Sequence, residues 1–177
     1  QLALNEDENK GSPYLRIAAA RSMREAFEML REYRTIGDFL AYQLVTDINY
    51  SELTDFSEME FVMPGPGARS GIRKCFADLG GLNEVELIKR VALSQSQEFA
   101  YRDLDFQGLF GRPLQLIDCQ NLFCEVDKYA RAAHPEVKGL TRRKQIKQIF
   151  QANMTPIDYF FPPKWALDVK MGQMPIA

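Results

Sequence analysis

Four side chains in one stretch have the types and spacing for acid–base work. Asp118, Asn121, Glu125 and Lys128 recur at three- and four-residue intervals, so a helix through them places all four on one face. A carboxylate there can take a proton from a nucleophile, and the amide beside it can orient a ligand. The same row also reads as a solvated helix face. A second row, Gln120, Cys124, Asp127 and Arg131, runs alongside it. Leu116, Cys119, Leu122, Phe123, Val126 and Ala130 supply an apolar face that would seat this helix in a core.

Two glycine-bearing turns offer a different chemistry, the binding of anions. Gly37 precedes Asp38-Phe39-Leu40-Ala41, and Gly65-Pro66-Gly67-Ala68-Arg69-Ser70-Gly71 follows the apolar run Phe61-Val62-Met63. Each turn opens a predicted helix, where unpaired N–H groups and the helix dipole favour negative charge. Asp38 competes for the first turn as an N-cap. Gly71 implies close backbone approach by a helix or a ligand. The second turn is not a dinucleotide fingerprint, because Ser70 stands at the third glycine position, Pro66 lacks an N–H, and no βαβ context surrounds it. It is not a Walker A loop either, because no Gly-Lys-Ser/Thr ends it.

The elements that must position these groups read as helices throughout. Leu15 to about Arg34 repeats Ile17, Ala20, Met23, Phe27 and Leu30 at helical spacing, and Phe39 to Asn49 continues with Phe39, Leu40, Leu44 and Ile48. A short turn between them predicts a compact helical hairpin pinned by Ile36. An acidic connection holding Glu52, Asp55, Glu58 and Glu60 leads to the glycine turn and a helix over 68–79, with Ile72, Cys75, Phe76 and Leu79 inside. Asn83 caps a helix to Ala100 whose apolar set is Val85, Leu87, Ile88, Val91 and Leu93, and a further helix spans Leu114 to His134. A basic helix is expected over 141–152, carrying Arg142 and Arg143. The expected organisation is a polar lead-in (1–13), one all-α domain (14–153) and a proline- and aromatic-rich wrap (154–177).

Composition narrows the function. The chain has 177 residues and a net charge of −2, so bulk charge does not announce nucleic acid. The basic stretch around Lys138, Arg142, Arg143, Lys144 and Lys147 suits either a phosphate patch or a solvated face. One histidine, His134, argues against His-rich metal sites and a Ser-His-Asp triad, and its place before Pro135 suits a helix C-terminus. Three cysteines without metal-type spacing suggest reduced, mostly buried thiols and a reducing compartment, cytoplasmic or nuclear. No stretch is long and apolar enough to suggest a membrane span. Tyr129 beside Lys128, and Tyr159-Phe160-Phe161 before Lys164-Trp165, are aromatics near cations that could stack a base.

Taken together, two motifs look familiar. Gly37-Asp38-Phe39-Leu40-Ala41-Tyr42-Gln43 with Phe61 to Ile72, and Asp118-Cys119-Gln120-Asn121-Leu122-Phe123-Cys124-Glu125-Val126-Asp127-Lys128-Tyr129, resemble the helical proteins of DNA thymine hypermodification. That group includes the helical domain linked to 5-hydroxymethyluracil DNA kinases and the α-glutamyl/putrescinyl thymine pyrophosphorylases. The resemblance runs from Tyr14 to Lys170. It implies DNA as substrate, no cofactor, and an amine or amino acid displacing pyrophosphate from a modified thymine. A kinase or other modification enzyme would be a partner.

The resemblance further implies DNA or phosphate contacts from Gly37, Gly65, Gly67, Ala68, Arg69, Gly71, Lys74, Arg142 and Arg143. Asp118, Asn121, Glu125 and Lys128 would be the catalytic set, with Gln43, Glu60, Gln120 and Tyr129 at the base. The group is itself similar to helix-hairpin-helix DNA glycosylases, matched here by Ile36-Gly37 and Leu40-Ala41. The chain departs from that pattern with Arg34-Thr35 where Pro-Gly is common, and no Val-Asp-Thr-His-like sequence follows. A glycosylase using Glu60, Asp118 or Glu125, and a non-catalytic DNA-reading domain, remain open alternatives.

Overall fold

In the computed structural model the described residues are 12–140, 151–152, 155 and 160–167. They form six α-helices and a short 3₁₀ turn, Pro163–Trp165, with no named strand among them. The class is all-α, as expected. The expected helix over 141–152 lies largely outside the described residues. The chain divides into two compact units, Gln1–Met63 and Pro64–Ala177.

The first unit holds α1 (Pro13–Ala18), α2 (Met23–Arg31) and α3 (Asp38–Tyr50). One long helix was expected where α1 and α2 stand. Ser22 breaks it: its side chain accepts the Glu25 N–H at 3.1 Å, while Glu25 accepts the Arg21 N–H at 2.8 Å. Ser22-x-x-Glu25 is a helix-start signal set inside a continuous apolar period. The core is Met23, Ala26, Phe27 and Leu30 of α2 against Ala41, Tyr42 and Val45 of α3. Phe61 closes it, with its ring 5.0 Å from Phe27 and 5.8 Å from Tyr42, and the Arg24 guanidinium 4.5 Å over its face. Buried Asn49 folds the acidic connection back. Its amide donates to the Phe56 carbonyl at 3.0 Å, and its oxygen accepts from Phe56 N–H and Thr54 Oγ1.

The α3 face differs from the expected one. The buried set is Ala41, Tyr42, Val45, Thr46 and Asn49, whereas Phe39 and Leu40 are exposed. The helix is apolar around much of its circumference, so hydrophobic period alone did not select the side. Gly37, not Asp38, is the N-cap, and Asp38 instead pairs with Arg31 at 2.5 Å.

The second unit holds α4 (Pro66–Cys75), α5 (Glu84–Tyr101) and α6 (Leu116–Ala133). Asn83 caps α5, as the sequence implied, and the Glu86 side chain accepts the Asn83 N–H in return. The Gln95 amide bridges the backbone N–H and carbonyl of Leu114, fastening α5 to the approach of α6. Cys75 is exposed rather than internal, because α4 ends there and Phe76 is extended. Leu93 and Leu122, expected in the core, are also exposed. His134 is the C-cap of α6, as expected. The described part of the C-terminal segment packs on the loop before α6, with Phe161 5.1 Å from Phe110 and the Arg112 guanidinium 4.0 Å over Trp165.

Candidate functional site

The two sequence motifs of the second unit meet along α4 and α6. Small and polar residues take part in their contact alongside buried apolar side chains such as Ile72 and Phe123. Gly71 lies so close to α6 that an added Cβ would sit 1.9 Å from the Phe123 carbonyl oxygen. A Cβ on Gly67 would meet the Cys124 sulfur at 3.2 Å. Both glycines therefore serve helix–helix approach, one of the two roles foreseen for Gly71.

Polar atoms stitch the same seam. Ser70 Oγ donates to Asp127 Oδ1 at 2.7 Å, and Lys74 Nζ lies 2.9 Å from the same oxygen. Arg131 Nε reaches Asp127 Oδ2 at 3.2 Å. The Lys74 and Asp127 side chains are 5% and 4% exposed, so this pair is removed from water and depends on its neighbours for solvation. Burial raises the Asp127 carboxyl, but the Ser70 hydroxyl, the Lys74 ammonium and the Arg131 guanidinium outweigh it and hold the group below its ordinary range. Gly139 roofs the cluster: a Cβ there would sit 2.3 Å from Ser70 Oγ and 2.8 Å from Lys74 Cε.

At the head of α4, the Gly65 N–H donates to Gln120 Oε1 at 3.2 Å, and the Cys124 thiol donates to the same oxygen at 3.4 Å. Burial pushes the Cys124 thiol up, and the Ala68 amide pulls against it. Gly65 and Ala68, expected to offer their N–H groups to phosphate, thus face side chains of α6. Lys74, expected at the surface, is committed to Asp127. Arg69 is exposed, and Arg73 pairs with Glu84 at 3.2 Å.

The expected catalytic row lies on the outer side of α6. Asp118 accepts the Gln115 N–H at 2.8 Å and lies 3.6 Å from Arg112, so it caps the helix. Asn121 is exposed and accepts from the Gln120 amide at 2.7 Å. Glu125 and Lys128 form a solvent-exposed pair at 2.5 Å. Tyr129 is exposed, packed edge-on to His134 at 5.7 Å. Gln120, expected at the base, is fully buried in the α4 seam.

Gln43, Glu60 and Gly37 belong to the first unit. Glu60 is exposed, the Gln43 Nε2 atom is buried without a hydrogen-bond partner, and Gly37 is exposed in open space. Arg142 and Arg143 lie outside the described residues.

Sequence reasoning missed the Ser70–Lys74–Asp127–Arg131 network as a unit. Its signal was present. The row Gln120, Cys124, Asp127, Arg131 has the spacing of a helix contact face, as do Gly67, Gly71 and Lys74, but their polarity and glycines pointed to ligand contacts instead.

A family model for the helical domain of 5-hmdU DNA kinases matches residues 2–139. The chain belongs to that family. Both motifs, and hence the whole α4–α6 seam through Gly139, fall inside the matched region. A 5-hmdU DNA kinase of Bacillus phage SP10 is 26% identical over 115 residues, covering 61% of this chain. That match spans 18% of the relative, so this chain corresponds to a small part of its length. No solved structure matches. Among the described residues, no helix is long and apolar enough to cross a membrane.

Proposed function

We propose that this helical domain acts on DNA carrying a modified thymine and transfers an amine or amino acid onto a pyrophosphorylated 5-hydroxymethyluracil. One observation carries the reading. The glycine turn that opens α4 and the Asp118–Tyr129 stretch of α6, both inside the family match, form one polar-stitched helix pair, and the outer side of α6 presents Asn121, Glu125, Lys128 and Tyr129. The relative's name as a 5-hmdU DNA kinase supports the choice of DNA base, and a kinase of that kind would supply the phosphorylated substrate.

In the proposed step the amine nitrogen attacks the exocyclic methylene carbon. The carbon–oxygen bond to pyrophosphate breaks, and pyrophosphate leaves with the electron pair. Glu125 takes the proton lost by the amine. Glu125 is better placed than Asp118, whose carboxylate already caps α6 and faces Arg112. Tyr129 offers a face for stacking the base, and exposed Arg69 offers charge to the leaving group.

The test is nucleoside mass spectrometry after incubating the chain with thymine-, hydroxymethyluracil- and pyrophosphorylated hydroxymethyluracil-DNA and a panel of amines. Amine adducts with pyrophosphate release are expected from the last substrate alone. Glu125→Gln should lower their rate by about 10²-fold or more while leaving duplex affinity near that of the wild type. Release of a free base would instead identify a glycosylase. Binding without turnover would identify a reading module.

A further inference from the structure

The outer row of α6 does not stop at Tyr129. Its ring meets the His134 ring edge-on at 5.7 Å, where the helix has just ended. Pro135 then turns the chain, and the Val137 N–H donates to the His134 carbonyl at 3.0 Å. That turn brings Glu136 back, with Oε1 3.6 Å from His134 Nδ1. The contact is longer than a hydrogen bond. A carboxylate on that side still favours the Nδ1–H tautomer and leaves the lone pair on Nε2. As C-cap, His134 bonds the Ala130 carbonyl through its backbone N–H, so capping does not occupy the imidazole. The ring is exposed, and Nε2 has no hydrogen-bond partner among the described residues. Tyr129, His134 and Glu136 all lie in the second unit and inside the family match.

The amine chemistry proposed above involves two protons. A primary alkylamine arrives at neutral pH as an ammonium, whose nitrogen has no lone pair. One proton must leave before attack, and a second leaves the dialkylammonium once the carbon–nitrogen bond has formed. Glu125 accounts for one of them, and its carboxylate is already met by Lys128. Resting on that reading of the reaction, we infer that His134 is a second catalytic base, which takes the first proton onto Nε2. The freed nitrogen pair then bonds the exocyclic methylene carbon, and the carbon–oxygen pair leaves with pyrophosphate. Glu125 takes the second proton, and the imidazolium returns its own to water. The two transfers are separate in time, so the two groups need not touch the nitrogen together. Imidazole is the side-chain type that exchanges a proton near neutral pH, which suits it to the first transfer. The groups facing it are the Tyr129 ring of α6 and the Glu136 carboxylate of the turn. A thymine 5-substituent projects into the major groove from an intact base pair, where an exposed helix face reaches it.

The experiment uses the full chain, pyrophosphorylated hydroxymethyluracil-DNA and two nucleophiles. One is a primary alkylamine. The other is an alkoxyamine, which is already uncharged at neutral pH and needs no first deprotonation. His134→Gln should keep the wild-type circular dichroism and slow the alkylamine reaction by about 10²-fold. With the alkoxyamine it should stay within about threefold of wild type. Glu125→Gln should slow both. Glu136→Gln, which leaves the imidazole in place, should slow the alkylamine reaction severalfold and spare the other. His134 is the chain's single histidine, so its imidazole signals can be followed by NMR without overlap. The wild-type alkylamine rate should rise with pH through the midpoint at which those signals titrate, because only the neutral ring accepts a proton. His134→Gln should lack that midpoint. Equal slowing of both nucleophiles in His134→Gln, or an unchanged alkylamine rate, overturns the inference and leaves the transfer reaction standing. If His134→Gln does not fold, an unchanged ratio of the two rates in Glu136→Gln overturns it instead. Absence of adducts from wild-type protein with either nucleophile removes both the inference and the reaction.

Discussion

Gly71 shows how much one missing methyl group can decide. Its φ is not in the left-handed region, so backbone freedom is not what requires glycine there. The reason is the Phe123 carbonyl, which an added Cβ would approach to 1.9 Å. A carbonyl on a helix cannot turn aside as a flexible side chain can. Gly71→Ala should therefore push α4 off α6 and destabilise the second unit by about 1–3 kcal/mol, visible as a fall of several degrees in the melting temperature followed by far-UV circular dichroism. An unchanged melting temperature would mean that the two helices slide apart without cost. Glu125 gives the opposite case at the same scale. It is exposed and contacts Lys128, so Glu125→Gln probes chemistry with little effect on folding.

At the level of elements, the α4–α6 pair depends on a buried polar seam. Asp127 accepts from Ser70 and pairs with Lys74 and Arg131. Asp127→Asn keeps the shape but leaves a buried ammonium without its carboxylate, a change expected to cost about 3–5 kcal/mol. The seam also sets a pH dependence. The Asp127 carboxyl is held below its ordinary value of 3.8 in the folded chain. Its contribution is therefore fully present above that value and fades as pH falls through the lower folded value. Urea midpoints measured from about pH 5 down to about pH 2 should drop more steeply for the wild type than for Asp127→Asn, with the divergence setting in below the ordinary carboxyl value. Parallel curves would show that the carboxylate is not linked to folding. The same seam has a functional consequence in its rigidity: it fixes the α4 and α6 backbones, so the outer row on α6 sits on a stiff support.

On the scale of the whole molecule, the C-terminal segment is an addition beyond the family match, which ends at residue 139. It reaches back to the head of α6, where Trp165 lies against Arg112 and Phe161 against Phe110. Arg112 in turn faces Asp118, so the segment bears on the cap of the helix that carries the candidate row. A cation–aromatic stack of this kind contributes about 1 kcal/mol. Trp165 is the chain's single tryptophan, and its emission reports on the clasp directly. Arg112→Ala should raise acrylamide quenching of that emission toward the level of an exposed indole and lower the melting temperature slightly. Unchanged quenching would show that the aromatic contacts hold the segment without the arginine.

The sequence by itself determined the all-α class, the capping of α5 by Asn83, the end of α6 at His134, and the family, because each is written in local spacing or in a contiguous motif. It did not determine which face of a helix is inside when that face is polar. α6 offered an apolar row and two polar rows, and tertiary packing took Gln120, Cys124 and Asp127 inward because α4 presents Gly67, Ser70, Gly71 and Lys74 to receive them. Partners supplied from fifty or more residues away turned what looked like a solvent face into a seam. The same cause moved Lys74 from phosphate candidate to buried partner of Asp127, and left Phe39 and Leu40 in water while Ala41 and Tyr42 filled the core. Side-chain type and helical period fix what each residue can do. Only the arrival of a second helix fixes which of those options is satisfied.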